Sequence, residues 1–462
     1  MAKEVEKKAA KSKESKAKVT AKKQNKKVEV KEEPRKNGLI LDVDDTPEIG
    51  KWIILAIQHV FAMFGATILV PILVNEACGA EVLPMPVALT ASGIGTLIYL
   101  FATKKKSPIY LGSSFAFIAP IIAGYGVAGV DGAFTGLVAV GLIYVIVAII
   151  IKIAGKNWID KLLPPIVIGP MIMIIGLSLA GSAITSIGID GTTAFDWKST
   201  LVALIALLTT IIVAMYAKGF MKVIPFLVGI LAGYIAACIF GMVDFKPVLD
   251  ANFFEMPKFK FIFKDWSLHA GALLTIAPVA LVTICEHIGD HTVLGKIIGK
   301  DLLKDPGLDR TLIGDGVATA VSAMIGGPAN TTYGENTSVV GMTKIASVNV
   351  IGLAAIFAIV FGFLGKLTAL ISTIPTAVLG GVSILLYGFI AVNGLKVLVE
   401  KQVDFGKTKN VVIAATMLVL ALGNAVISIN SGDFSLAIQG MSLASIIGIL
   451  LNMFLPDRES SI

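Results

Sequence analysis

An apolar stretch near residue 280 carries two acids and two histidines in the run Glu286-His287-Ile288-Gly289-Asp290-His291. Glu286 and Asp290 are four residues apart, so a helix places both carboxylates on one face, with the two histidines on the neighbouring face. Ionisable groups are costly to insert into a membrane span and are functional by default. If this stretch crosses a membrane, its acids are the first candidates for chemistry.

Three kinds of chemistry are compatible with this cluster. In the first, a buried carboxylate loads and releases a proton and accepts N–H bonds from a polar ligand. In the second, the side chains bind a metal ion in an intramembrane metalloenzyme, although Glu-His-x-x-Asp-His is not the zinc motif His-Glu-x-x-His. In the third, the histidines cap or bridge helices, and Asp290 and His291 lie solvated at a helix end. That third role suits each histidine taken singly, whereas Glu286 in mid-span requires a functional reason.

The composition places the cluster inside a membrane protein. The chain has 462 residues, of which 55% are hydrophobic and 15% charged, against about 25% charged residues in soluble domains. Fourteen apolar segments follow one another, each near the roughly 20 residues that span hydrocarbon. We therefore predict an all-α polytopic membrane protein. The predicted segments are 52–75, 84–102, 108–126, 131–152, 160–183, 198–217, 221–243, 268–291, 310–327, 329–345, 347–371, 374–397, 409–428 and 436–455.

The net charge of +7 comes from one end of the chain. Residues 1–37 hold 14 Lys or Arg and 6 Glu, with almost no large apolar side chains. Such a segment cannot bury enough surface to fold, so we predict a disordered Lys-rich tail over 1–46. Lysines recur in alternate loops, near 104–106, 218–222 and 401–409, and the positive-inside rule then places both termini in the cytoplasm. The expected location is the cytoplasmic membrane.

Two segments differ from the rest because they are short, polar and interrupted by Gly or Pro. The third begins SPIYLGSSFAFIAP and the tenth reads PANTTYGENTSVVGMTK. Gly112 and Gly334, near their centres, are 222 residues apart, about half of the membrane portion. This spacing predicts two seven-segment repeats, inverted relative to each other because seven is odd. Matched broken segments are the best sequence pointer to a transporter site; two kinked helices without a ligand are the alternative.

A half-helix that starts inside the membrane points free backbone N–H groups at its surroundings. Starts after Ser114 and after Tyr333-Gly334 would offer such donors to a ligand's carbonyl oxygens. With the Glu286 and Glu335 carboxylates as acceptors, these donors suit a small planar molecule with both C=O and N–H edges, such as a nucleobase. A simple anion such as sulfate would be repelled by the two acids. The rings of Phe115 and Tyr387 could stack on a planar ligand.

The sequence resembles the nucleobase–ascorbate transporter family, and within it the uracil-type bacterial members. The resemblance covers the chain from about residue 51 to residue 455, and several motifs occur in order along it. These motifs are QHVFAMFGATILVP (58–71), YLGSSFAFIAP (110–120), ICEHIGDH (284–291), KDLLKDPGLDR (300–310), NTTYGEN (330–336) and GGVSILLYG (380–388).

The resemblance implies a fold and a mode of action. Fourteen spans would form two inverted repeats, with short β-strands in segments three and ten. A core domain would comprise 51–152 and 268–371, and a gate domain would comprise 160–243 and 374–455. Bacterial members act as homodimeric proton symporters, without any cofactor besides the coupling proton. We therefore expect proton-coupled uptake of uracil by an elevator-type motion.

The resemblance also assigns roles at the ligand. Glu286 should bind the base and couple it to protons, with Asp290 and His291 as further coupling candidates. Glu335 should bind the base from segment ten. The Phe115 and Gly334 backbone amides should face its carbonyl groups.

Other positions are expected to shape the site. Ser114 and Tyr333, beside the two helix starts, are further substrate-binding candidates. Tyr387 should close the site from the gate side. Gln58, His59, Asn336 and Asp315 should have structural or tuning roles.

Two features bear on the identity of the substrate. Glu335-Asn336 follows the uracil type, whereas Asp290 and Asp315 resemble members that carry purines. A proton symporter for xanthine, urate or guanine is therefore the alternative. Ser338 replaces a glycine of the family signature, which could alter packing in segment ten.

Overall fold

The computed structural model describes residues 38–155, 157–192, 195–261, 269–431 and 434–456. The chain divides into a unit over 1–40, of which only residues 38–40 are described, and a unit over Leu41–Ile462. The predicted disorder of 1–37 concerns residues outside the described part of the chain.

The larger unit consists mainly of helices. Short 3-10 turns occupy Phe115–Phe117 and Gly219–Val223, and a π-type turn occupies Leu303–Gly307. Two small sheets interrupt the helical pattern. The elements are α1 Ile49–Cys78, α2 Met85–Ala102, β1 Leu111–Ser113, α3 Ile118–Ala154, α4 Asn157–Leu162, α5 Pro165–Ser178, α6 Ala180–Ser186, α7 Trp197–Tyr216, α8 Pro225–Ile239, α9 Lys246–Asp250, α10 Ala270–Ile276, α11 Val279–Ile298, α12 Leu308–Met324, β2 Asn330–Thr332, α13 Gly334–Thr343, α14 Val348–Gly362, α15 Gly365–Ser372, α16 Thr376–Glu400, α17 Thr408–Leu422, β3 Val426–Ser431, β4 Phe434–Gln439 and α18 Gly440–Phe454.

Many of these helices match the thickness of a bilayer. Within the described residues, seven helical stretches are long and apolar enough to cross a membrane, and α14 with α15, bent by 77° at their junction, adds an eighth if counted as one span. Helix α3 is itself broken at Ala128 and Gly129, where the backbone leaves the helical region. The seven stretches are Ile49–Cys78, Met85–Ala102, Phe115–Ala154, Pro165–Ser186, Trp197–Tyr216, Ala270–Ile298 and Thr376–Glu400.

Two groups of helices pack closely, and one continuous buried core joins them. In one group α2 packs against α12 and α14, and α3 packs against α10 and α12; in the other, α16 packs against α5 and α7, and α17 packs against α18. Each group contains a point where two glycines meet. An added Cβ at Gly141 of α3 would lie 2.5 Å from the Gly316 carbonyl oxygen, and one at Gly394 of α16 would lie 2.5 Å from that of Gly169. Small residues allow membrane helices to approach this closely.

Residues 41–46 differ from the prediction of disorder. Leu41 forms a parallel bridge with Ile345, and the Val348 N–H donates to the Val43 carbonyl oxygen at 3.0 Å. The Asp42 carboxylate pairs with the Lys300 ammonium at 2.8 Å. The predicted tail is therefore too long at its end, because Leu41 and Val43 bury apolar side chains that the Lys-rich part lacks.

A second sheet was not predicted. Strands β3 and β4 pair antiparallel, with Val426 opposite Gln439 and Ser431 opposite Phe434. They occupy the end of predicted segment thirteen and the start of segment fourteen. Helices α17 and α18 are therefore shorter than the apolar runs suggested. The runs did not reveal the strands, because apolar residues in strands give the same hydropathy as apolar residues in helices.

The contact between α3 and α12 generates a stability prediction. Gly141→Ala should destabilise the protein by about 1–3 kcal/mol, because the new methyl group meets backbone rather than a flexible side chain. Gly126→Ala on the same helix is the control, since its Cβ would have nothing within 4 Å. Thermal unfolding of the purified variants in detergent measures the difference. Equal unfolding temperatures would contradict the packing described here.

Candidate functional site

The two broken segments meet as a pair of antiparallel strands. Gly112 of β1 lies opposite Thr331 of β2, and all six strand residues are buried. The pairing continues beyond the strands: the Ser114 N–H donates to the Ala329 carbonyl oxygen at 2.9 Å, and the Tyr333 N–H donates to that of Tyr110 at 3.0 Å. Backbone groups inside a membrane need partners within the protein. These two interrupted segments supply them to each other.

One tyrosine fixes the strand pair to helix α1. The Tyr333 hydroxyl donates to the Ser113 carbonyl oxygen at 2.9 Å and accepts a bond from the Thr67 hydroxyl at 3.2 Å. The Ser113 hydroxyl donates to the Thr67 carbonyl oxygen at 3.1 Å. The Tyr333 ring covers Gly112, where an added Cβ would lie 2.3 Å from a ring carbon. In this arrangement the Tyr333 side chain holds β1 and β2 in place. Its expected contact with substrate remains a prediction.

A helix starts directly after each strand. The turn at Phe115–Phe117 follows β1 and leads into α3, and α13 begins at Gly334. Neither start is capped by the side chain of its preceding residue, Ser114 or Tyr333. First-turn N–H groups of this kind have no partner within their helix and carry partial positive charge. The predicted donors Phe115 and Gly334 thus lie at two helix starts that the strand pair brings together.

Among the residues described, Ser114 is bonded into the strand pair through its backbone but not through its side chain. Its backbone N–H is already bonded to Ala329, and its buried hydroxyl oxygen has no hydrogen-bond partner within the described part of the chain. The expected contact of Ser114 with substrate stays a prediction.

The two acids of α11 lie along β2. The Thr331 hydroxyl is 3.5 Å from Glu286 Oε2, and the Thr332 hydroxyl donates to Asp290 Oδ2. The Glu286 and Asp290 carboxylates are both close enough to interact electrostatically with Glu335 of α13. All three acids are half-buried. The structure thus brings the predicted acids together and adds Thr331 and Thr332, whose position inside the broken segment was the available signal.

The two histidines of α11 are fully buried. His287 Nδ1 lies 2.8 Å from Asp315 Oδ2, which makes a buried pair between α11 and α12. His291 Nδ1 faces the His287 carbonyl oxygen at 2.6 Å, and His291 Nε2 lies 2.5 Å from the Tyr99 hydroxyl oxygen. Since a carbonyl oxygen can only accept, Nδ1 carries the proton in the neutral ring. The alternative in which His291 is solvated is wrong. His291 is buried and connects α11 to α2.

The tuning residues on α1 and α13 are partly paired. The Asn336 side-chain N–H group donates to the His59 carbonyl oxygen at 3.0 Å and lies 3.1 Å from His59 Nδ1. This contact crosslinks α1 to the half-helix that carries Glu335. Gln58 is half-buried, and its Oε1 has no hydrogen-bond partner among the described residues.

Tyr387 lies on α16, in the group of helices that also contains α5 and α7. It is buried on α16, where its carbonyl oxygen would be 2.2 Å from a Cβ added at Gly176 of α5. Within the described residues, the structure records no hydrogen bond from Tyr387 to Glu286 or Glu335. The preceding residue, Leu386, lines a small pocket with Glu335, between α1, α8 and α16. Its volume is ≈ 10 Å³, about the room for one water molecule, so side chains nearly fill this pocket.

The sequence left open that the acids and histidines of α11 bind a metal ion. Across the residues that the structure describes, no group of three His, Cys, Asp or Glu side chains is arranged to hold a metal ion. His287 is instead engaged by Asp315, and His291 by Tyr99.

Comparison with known proteins gives the chain its relatives. Residues 50–429 match the model of the permease family Xan_ur_permease. The uracil permease of Bacillus caldolyticus is 49% identical over 431 residues, which cover 92% of this chain and 96% of the relative. The uracil permease of Escherichia coli (strain K12) is 41% identical over 418 residues, covering 89% and 93%.

Solved structures share the fold at low sequence identity. The transmembrane domain of the cyanobacterial bicarbonate transporter BicA matches with a TM-score of 0.58 and 15% identity, over 87% of this chain and 98% of that domain. The murine anion transporter Slc26a9 in its inward-facing state matches with a TM-score of 0.57 and 12% identity, over 89% and 69%. The family match and the relatives are sufficient to place the protein. The chain belongs to this permease family, the nucleobase–ascorbate transporters that its motifs resemble, and it is an integral membrane transporter rather than an enzyme.

Proposed function

We propose that this transporter carries uracil across the cytoplasmic membrane together with protons. The observation that carries the proposal is the β1–β2 pair, which places two uncapped helix starts beside the carboxylates of Glu286 and Glu335. The names of the relatives support uracil as the substrate.

The proposed binding mode follows from the groups at the strand pair. Uracil has two carbonyl oxygens and two N–H groups on one planar ring. The amides at Phe115 and Gly334 would donate to the carbonyl oxygens, and Glu286 and Glu335 would accept from the N–H groups. Hydrogen bonds to ionised acceptors are the stronger ones, so Glu335 contributes most of the discrimination, while protonated Glu286 accepts through its remaining carbonyl oxygen.

The proposed coupling rests on mutual repulsion of the acids. Glu286 interacts electrostatically with Asp290, Glu335 and Asp315. Several ionised carboxylates close together in a poorly hydrated site repel one another. A proton bound to Glu286 relieves that repulsion and prepares the site for a neutral base. Asp290, held by Thr332, and His291 are the further coupling candidates.

The proposed transport motion uses the two packing groups as rigid bodies. The group around α2, α3, α12 and α14 corresponds to the core domain, and the group around α5, α7 and α16–α18 corresponds to the gate domain. The antiparallel pairing of β1 with β2, one from each half of the chain, supports two inverted seven-segment repeats. Fourteen spans, cytoplasmic termini, an elevator motion and a homodimer complete the proposal.

Uptake of labelled uracil into proteoliposomes tests the function. We expect accumulation when the outside is more acidic than the inside, and collapse of the accumulation when a protonophore is added. Unlabelled uracil should compete for uptake, whereas xanthine, urate and guanine should not. Competition by a purine alone would transfer the assignment to the purine alternative, which Asp290 and Asp315 favour. Folded protein without gradient-dependent uptake would overturn the coupling.

Substitution of the acids separates coupling from binding. Glu286→Gln should leave uracil exchange independent of the imposed pH gradient, because the proton carrier is lost. Glu335→Ala should weaken uracil binding about tenfold or more, since a lost charge-assisted bond costs about 1.5–3 kcal/mol. Glu400→Gln is the control, because Glu400 is exposed and pairs with Lys396 across one helical turn. Unchanged pH dependence in Glu286→Gln would remove Glu286 from the coupling role.

A further inference from the structure

A groove of ≈ 440 Å³ opens between the end of α2 and the start of α12. Phe101, Ala102, Lys104, Lys105 and Arg310 line it. Both lysines are exposed, Arg310 is partly buried, and the Phe101 side chain is 86% exposed. None of these residues belongs to the proposed uracil site.

The cations of the groove lack counter-charges. Within the residues that the structure describes, Lys104, Lys105 and Arg310 form no ion pair with a carboxylate, whereas the next lysine, Lys106, pairs with Asp305 at 2.6 Å. Arg310 Nη1 lies 3.5 Å from the Ala102 carbonyl oxygen, which positions the guanidinium group at the end of α2. Three positive charges therefore face one open groove.

The backbone of the two lysines is unusual. Lys104 has φ 53° and Lys105 has φ 58°, which is the left-handed region that side chains other than glycine rarely adopt. The turn is held by the Lys104 N–H donating to the Phe101 carbonyl oxygen at 3.0 Å and the Lys105 N–H donating to that of Leu100 at 2.8 Å. Strained conformations of this kind concentrate at functional sites.

We propose that the groove binds the anionic headgroup of a phospholipid, with its phosphate between Lys104, Lys105 and Arg310. Helix α2 is apolar and long enough to cross the membrane, so the exposed Phe101 ring near its end marks the membrane boundary, where an acyl chain can contact it. Basic pockets between the ends of membrane helices bind such headgroups. A water-soluble phosphate could use the cations but would leave the apolar ring without a partner.

Photocrosslinking in nanodiscs tests this site. The full chain is placed in phosphatidylcholine nanodiscs with a trace of photoactivatable phosphatidylglycerol, and labelled peptides are identified by mass spectrometry. We expect labelling around Phe101 and Arg310 that is displaced by unlabelled phosphatidylglycerol and not by inorganic phosphate. The Lys-rich sequence 1–37 also attracts anionic lipid, so its peptides are quantified separately.

Matched variants assign the labelling to the groove. Asparagine tolerates the left-handed region, so Lys104→Asn with Lys105→Asn removes two charges and keeps the turn. Labelling around Phe101 and Arg310 should fall about thirtyfold, the combined effect of two lysines near anionic headgroups. Lys106→Asn removes a charge from the same loop and should change this labelling much less, because Lys106 pairs with Asp305.

Three results would overturn the proposal. They are equal labelling by photoactivatable phosphatidylcholine, displacement by inorganic phosphate, and wild-type labelling in the double variant. Size-exclusion profiles and uracil uptake of each variant show whether it is folded, which keeps a folding defect distinct from a lost lipid site.

Discussion

Backbone hydrogen bonding inside the membrane is the constraint on which this structure depends. A helix that stops in the hydrocarbon layer leaves N–H and C=O groups without partners, and each unmet group costs several kcal/mol there. Strands β1 and β2 meet this demand by pairing with each other, with Tyr333 closing over Gly112 to tie the pair to α1. Because each strand ends where a helix begins, the same pairing directs two sets of helix-start amides to one place. Under the proposed function, the binding site is thus a consequence of how the broken segments satisfy their own backbone.

Buried polar side chains around the strand pair follow a similar logic. Asp315 pairs with His287, and Asn336 bonds to His59, so elements far apart in the chain are held by specific contacts rather than by apolar packing alone. Glu286 and Asp290 differ, since among the described residues each hydrogen-bonds to a threonine hydroxyl of β2 rather than to a permanent charged or amide partner. Under the proposed function, this division separates the groups that keep the core rigid from those that exchange ligand and proton.

The sequence predicted the parts whose signal is local. Polar, Gly-broken motifs at matched positions indicated the two interrupted segments, and the four-residue spacing of Glu286 and Asp290 indicated their common face. Pairings over long distances, such as His291 with Tyr99, carry no local signature, because any buried polar side chain could serve. The β3–β4 hairpin was missed since hydropathy does not distinguish apolar strands from helix ends. Residues 41–46 were assigned to the tail by its overall composition, although Leu41 and Val43 already provided the apolar side chains that dock there.

An experimental structure with uracil bound tests the central claim most directly. The account predicts the base at the ends of β1 and β2, with its N–H groups within hydrogen-bonding distance of the Glu286 and Glu335 carboxylates and a carbonyl oxygen facing the amide of Phe115 or Gly334. A base bound elsewhere, or either carboxylate turned toward lipid while uracil is bound, would contradict it.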